Sequence, residues 1–240
     1  MPYALFREQE DAAGYFLLLR QIAASHGLPL ALYADRHTIF QSPGAATLAQ
    51  QLRGEVPQSQ FGRLLTELSM QLIAARSPQA KGRVERLFGT LQDRLVKALR
   101  QANASSDTEA NTVRLQFLPA FNARFTVPAA QPGSQYRPWP ATLQAEDVFC
   151  FKHDRTVAND NTISFNGVTL PIPPGPDRIS YAKARVQVRQ YLAGRVGICY
   201  HNQILTMIQT QPMGPLRVGQ LGASHQALEP APPDPDHPAH

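Results

Sequence analysis

Met70-Gln71-Leu72-Ile73-Ala74-Ala75 leads, after Arg76, into Ser77-Pro78-Gln79-Ala80-Lys81-Gly82-Arg83-Val84-Glu85-Arg86. The first run has the length and apolar character of a buried strand. Pro78 and Gly82 then mark a turn, and the pattern that follows predicts a helix reaching about Arg100. At about 100° per residue, Val84, Phe88, Leu91, Leu95 and Leu99 share one face, expected to pack on a sheet. Arg83, Arg86, Thr90, Arg94 and Lys97 form a stripe on roughly the opposite side. Glu85 lies between the two, with Gly89 and Gln92 above it.

Upstream, the periodicity of residues 8–26 predicts an amphipathic helix closed by Gly27. Leu28 to Ala34 is an apolar run expected to be a strand covered on both faces, and Asp35 follows it directly. Tyr3-Ala4-Leu5-Phe6 suggests another short strand, residues 41–60 a loop, and Phe61 to Ser69 a helix. Alternating strands and helices predict an α/β layer with parallel strands. An acid at a strand's carboxyl end then faces the crevice where such sheets hold their sites.

Downstream, residues 101–112 read as a polar linker and Val113 to Phe125 as a helix. Pro128 to Pro140 reads as an extended connector, docked through Trp139. From Asp147 the pattern changes to short strands, with Asn166-Gly167 as a hairpin turn and further turns at Gly194 and Asn202. Five or so strands predict a small barrel or sandwich. The divisions are residues 1–104 for the α/β unit, 105–142 for the connector, 143–210 for the barrel and 211–240 for a disordered Pro-rich tail.

The chain has 240 residues, a net charge of +5 and a pI near 9.5. Its last fifteen residues hold three acids and no Lys or Arg, so residues 1–225 carry +8. Such a charge favours a polyanion such as DNA. Cys150 and Cys199 lack zinc spacing and read as buried free thiols. No signal peptide and no uncharged run of about 20 apolar residues is present, so a cytoplasmic protein without a membrane partner is expected.

Two acids near bases suit divalent-metal chemistry on a phosphodiester. Asp35 and Glu85 are the candidate catalytic and metal-ligating residues, with Mg²⁺ or Mn²⁺ as the ion. Arg36, Lys81, Arg83, Arg86 and Arg94 are candidates for phosphate contacts. So are Lys183, Arg185 and Arg189, whose shared parity would place them on one side of a regular strand. An ordinary surface ion pair at Glu85 and a solvated basic sheet face explain the same residues without function. His37 is a further loop candidate, and Asn159-Asp160-Asn161 reads as a tight turn before a metal loop.

The 77–86 run, continued by Leu87-Phe88-Gly89-Thr90-Leu91-Gln92-Asp93-Arg94-Leu95, resembles the third acidic motif of the DDE transposase and retroviral integrase superfamily. Within it, the run is most similar to ISNCY-type insertion-sequence transposases. Tyr33-Ala34-Asp35-Arg36-His37-Thr38-Ile39-Phe40 resembles the second acidic motif, and residues 155–165 resemble the start of the family's C-terminal domain. The resemblance implies an RNase H-like integrase catalytic core, Mg²⁺ dependence, and cleavage and strand transfer of transposon-end and target DNA. It also implies self-association in a full-length transpososome, with Asp35 and Glu85 as two of three metal ligands. Forty-nine residues separate those two acids, more than the family usually has, and the 41–60 loop would absorb the excess. The family's first acid belongs on a strand expected before residue 1. The expectation is therefore a core lacking its first strands, with impaired activity. A non-catalytic DNA-binding remnant is the alternative, and a nuclease using only the two acids a third.

Overall fold

The computed structural model describes residues 3–34, 58–74, 78–128, 131–176 and 178–210. Helix α1 (Ala12–His26) starts where the Asp11 carboxylate accepts from the Gly14 N–H at 2.7 Å, an N-cap that satisfies a donor the helix cannot. Gly27 ends it at φ +89°. A Cβ there would lie 2.5 Å from the Arg137 carbonyl, so glycine also permits the next pairing. Strand β1 (Leu28–Pro29) is antiparallel to β4 (Tyr136–Arg137) in the connector. Strand β2 (Ala31–Ala34) is parallel to β3 (Gln71–Ala74), in register from Ala31↔Gln71 to Ala34↔Ala74. Between them in sequence lies helix α2 (Gln60–Glu67), capped by the Ser59 hydroxyl.

The expected single strand over Leu28–Ala34 is thus two strands, split at Leu30. Nor is it covered on both faces: Leu30, Tyr33 and, on β3, Ile73 are exposed. Tyr3–Phe6 is not a strand. It lies against a later helix, with Phe6 N–H and C=O held by the Asn111 amide at 3.1 and 2.9 Å.

Helix α3 (Pro78–Gln101) turns at Asn103 into helix α4 (Asp107–Phe125). The polar linker expected over 101–112 is therefore mostly helix. Ser106 and Glu109 form a reciprocal capping box that starts α4 six residues before its apolar pattern begins. The apolar face of α3 does not pack on the sheet. Leu91 and Leu95 bury against Phe121 of α4, with Leu87, Leu99, Phe117 and Phe6 around them, while Val84 and Phe88 remain exposed. A stripe needs a partner surface, and α4 supplies it first.

A short helix α5 (Ala145–Val148) precedes strands β5 (Cys150–Thr156), β6 (Thr162–Phe165), β7 (Val168–Pro171), β8 (Arg185–Tyr191), β9 (Arg195–Tyr200) and β10 (Gln203–Gln209). Four of them form an antiparallel sheet ordered β10-β9-β8-β5, and β6–β7 form a hairpin. Both residues of the Asn166-Gly167 turn have positive φ (51° and 77°), the geometry that a two-residue hairpin demands. Val186, Val188, Val196 and Ile198 from one face of the sheet and Ile163, Phe165 and Leu170 from the hairpin form one apolar core.

A second core joins the sheet to the α/β part. Phe16 and Leu19 of α1, Phe61 and Leu64 of α2, and Leu28 pack with Val148, Phe149 and Phe151. Trp139 stacks on Phe149 and donates to the Leu143 carbonyl at 2.8 Å, docking the connector onto this core. The outer edge of β5 is closed by side chains of α2. The Gln60 amide donates to the Lys152 carbonyl at 2.7 Å and accepts its N–H at 3.0 Å, and Arg63 donates to the Cys150 carbonyl at 2.6 Å. Alternate strand residues turn their backbone groups to the same edge, so one helix face can saturate both.

Candidate functional site

Ala34 and Ala74 are the last described pair of the parallel strands, and at that point the two strands lie side by side, about 4.8 Å apart. Asp35 follows Ala34 at once. It lies outside the described residues, as do Arg36 and His37. From Ala74, the four steps to Pro78 span at most about 14 Å. Glu85 then stands two turns into α3, about 10 Å along its axis. Both acids therefore belong to segments leaving one end of one parallel pair.

Glu85 is exposed and takes part in no ion pair among the described residues. Arg86 is also exposed, its Nε–H donating to the Gly82 carbonyl at 3.1 Å. The Arg94 guanidinium sits 4.8 Å from the Phe125 ring centroid, so it flanks the α3–α4 seam instead of facing away from it. Lys97 pairs with Asp93 at 2.6 Å. The backbones of Lys81 and Arg83 are helical; their side chains fall outside the described residues. Among the described residues, no three Asp, Glu, His or Cys side chains gather as a ligand set.

On the sheet, the three cations expected on one face separate. Lys183 has φ +61° and lies in the turn before β8, so strand parity does not apply to it. Arg185 is exposed, 3.8 Å from an equally exposed Asp154. Arg189 is buried at 6% exposure, which corrects its assignment as a phosphate ligand. Its guanidinium meets Asp147 at 3.1 Å, Asn202 Oδ1 at 3.0 Å and Gln187 Oε1 at 3.1 Å. The Tyr191 hydroxyl donates to the same Asp147 at 2.7 Å. Burial and that adjoining carboxylate both raise the phenol's pKa. Parity places a residue on a face but does not say what covers the face.

The remaining candidates are structural. Cys150 and Cys199 are buried free thiols, and burial pushes Cys150 up to about 11, away from thiolate chemistry. Asn159-Asp160-Asn161 is a turn: Asp160 accepts from the Thr162 N–H and hydroxyl at 3.2 and 2.8 Å. His153 lies 5.3 Å from the Phe165 ring. Its pKa falls from 6.5 to about 4, first through burial and then through the Arg155 and Arg63 charges. The folded state therefore holds this imidazole neutral, while an unfolded chain protonates it near 6.5. Stability is full above that pH and declines as pH falls toward 4, by up to about 3 kcal/mol. Urea denaturation across this range should show the decline, and His153→Phe should flatten it; an unchanged slope would assign the dependence elsewhere.

Pattern reading missed the Gln60–Arg63 clasp and Arg178. A signal for Arg178 exists: it opens a run to Gln209 that contains five cations and no acid.

No family model matches the chain. A Sinorhizobium fredii protein named as a transposase, y4bF, is 31% identical over 194 residues, which is 80% of this chain and 41% of y4bF. The transposase for insertion sequence IS1202 of Streptococcus pneumoniae is 37% identical over 122 residues, 51% of this chain and 26% of that protein. The chain spans roughly two fifths or less of the length of these curated relatives. These similarities support a transposase family for the chain.

Proposed function

We propose that the chain is the carboxylate-bearing, DNA-contacting part of a DDE-type transposase of the ISNCY kind, with an RNase H-like core and a small β-barrel. The observation that carries this reading is the parallel β2–β3 register. It sets the segment entering Asp35 beside the segment leading to Glu85. Glu85 offers an exposed hard-oxygen donor with no ion-pair partner among the described residues, which suits Mg²⁺ or Mn²⁺. Asp35 and Glu85 would hold the ion. When bound, it makes a water or a DNA 3′-hydroxyl a usable nucleophile and offsets charge on the leaving oxygen. Arg86 and Arg94, with Arg36, Lys81 and Arg83, hold the transposon-end and target phosphodiesters in register without reading sequence. Self-association in an assembly on DNA would draw on the exposed apolar residues Val84 and Phe88 of α3 and Tyr33 and Ile73 of the parallel pair.

The second reading, a DNA-binding remnant without catalysis, is favoured by the exposed cations Arg86 and Arg185, which could hold phosphates without any metal. Mn²⁺ titration separates the two. Glu85→Gln should weaken Mn²⁺ binding roughly 10- to 100-fold, a loss on the scale seen when a metal site's support is removed. The same substitution should abolish Mg²⁺-dependent nicking and leave DNA affinity intact. Equal Mn²⁺ binding by parent and variant would overturn the metal reading. DNA binding without metal-dependent cleavage would favour the remnant.

A further inference from the structure

The sheet has one end packed on the α/β part and one end free, and its charge is divided accordingly. At the packed end, Arg189 and Arg195 are neutralised by Asp147 and Glu146, and Lys152 by Glu67. At the free end stand Arg155, Arg178, Lys183 and Arg185. Of these, only Arg185 has an acidic partner among the described residues, the long exposed contact to Asp154. The excursion from Ile172 to Tyr181 projects at this end, and both of its feet are held by Asn161. The Asn161 amide donates to the Ile172 carbonyl at 2.7 Å and accepts the Tyr181 N–H at 2.6 Å.

The excursion is braced internally. Gly175 N–H donates to the Arg178 carbonyl at 2.9 Å. The Arg178 side chain donates to the Ser180 carbonyl at 2.6 Å and to the Tyr200 hydroxyl at 2.7 Å. Its guanidinium lies 5.3 and 5.2 Å from the Tyr181 and Tyr200 ring centroids. Next to this brace, Ile179 is 84% exposed. A single exposed aliphatic residue is ordinary on a protein surface. This one follows Arg178, whose side chain is held by Ser180 and Tyr200, and among the described residues the same end carries four cations, Arg155, Arg178, Lys183 and Arg185, against two acids, Asp154 and Asp160.

We propose that this end of the sheet docks on duplex DNA with Ile179 wedged between base pairs and Arg155, Lys183 and Arg185 on the flanking phosphates. Apolar wedges of this kind unstack a step and kink the duplex, and the surrounding cations supply the affinity. The inference rests on the DNA-acting reading above and adds the element that deforms the DNA. The test uses the full chain and an end-labelled duplex of about 30 base pairs rich in flexible TA steps, with bending read by energy transfer. The parent should bend it by some 20–90°. Ile179→Ser should keep the parent's melting temperature, lose the bend and weaken binding about tenfold, or about 1.4 kcal/mol. Lys183→Ala with Arg185→Ala should retain the bend at saturation and reduce the salt slope by about 0.9 per lost contact. An equal bend from Ile179→Ser, or parent binding without bending, overturns the inference alone. A parent with no salt-dependent DNA affinity overturns it together with the DNA-acting reading.

Discussion

Phe151→Ala should cost about 3–5 kcal/mol and destabilise both halves of the protein together. Phe151 belongs to strand β5, yet its ring lies 4.9 Å from Phe16 of α1, at 1% exposure, in the core shared with α2. Its removal leaves a cavity where helices and sheet meet, flanked by Phe149 and Phe61, whose positions are held by other contacts. The loss should therefore exceed that from an equally buried side chain confined to one layer. Denaturant unfolding followed at Trp139, which stacks on Phe149, and by far-ultraviolet dichroism should give one coincident transition in the parent. The variant should shift both signals to lower denaturant by the same amount. A shift in the fluorescence alone would show that the two cores unfold separately.

Asp147→Ala should be nearly as costly, about 3–5 kcal/mol, because it leaves the buried Arg189 guanidinium without its counter-charge. Gln187 and Asn202 still accept from it, but neither carries charge, and the Tyr191 hydroxyl loses its acceptor at the same time. The pair itself need not be stabilising. Adding Arg189→Met to Asp147→Ala should recover most of the loss, since removing both partners of a buried pair is often near neutral. Thermal melts of the two single variants and the double variant complete the cycle. A double variant as unstable as the sum of the singles would mean that the two side chains act independently.

Much of the local structure was legible, because local rules decide it. Asn166-Gly167 needs two positive φ values, and few other residue pairs accept them. Helix α3 follows from the 3.6-residue spacing of its leucines. The capping box at Ser106 and Glu109 is also present in the sequence, yet the polar composition around it suggested a linker where the box starts a helix. What a stripe or a run cannot reveal is its partner. Leu28–Ala34 is uniformly apolar, yet its first two residues pair antiparallel with Tyr136 and Arg137, over a hundred residues away, and its last four pair parallel with β3. The face of α3 was visible, whereas its burial against Phe121 was not. At the candidate site the acid on α3 could be placed, while Arg189, right in parity, is occupied by Asp147.

Gln60 on the backbone of Lys152 and the core around Phe151 make the junction between the two parts a matter of packed atoms, not of tether. The span from the strand ends at Ala34 and Ala74 to the tip at Ile179 then behaves as a ruler without slack. A long polymer gripped at both marks would be held at a set interval.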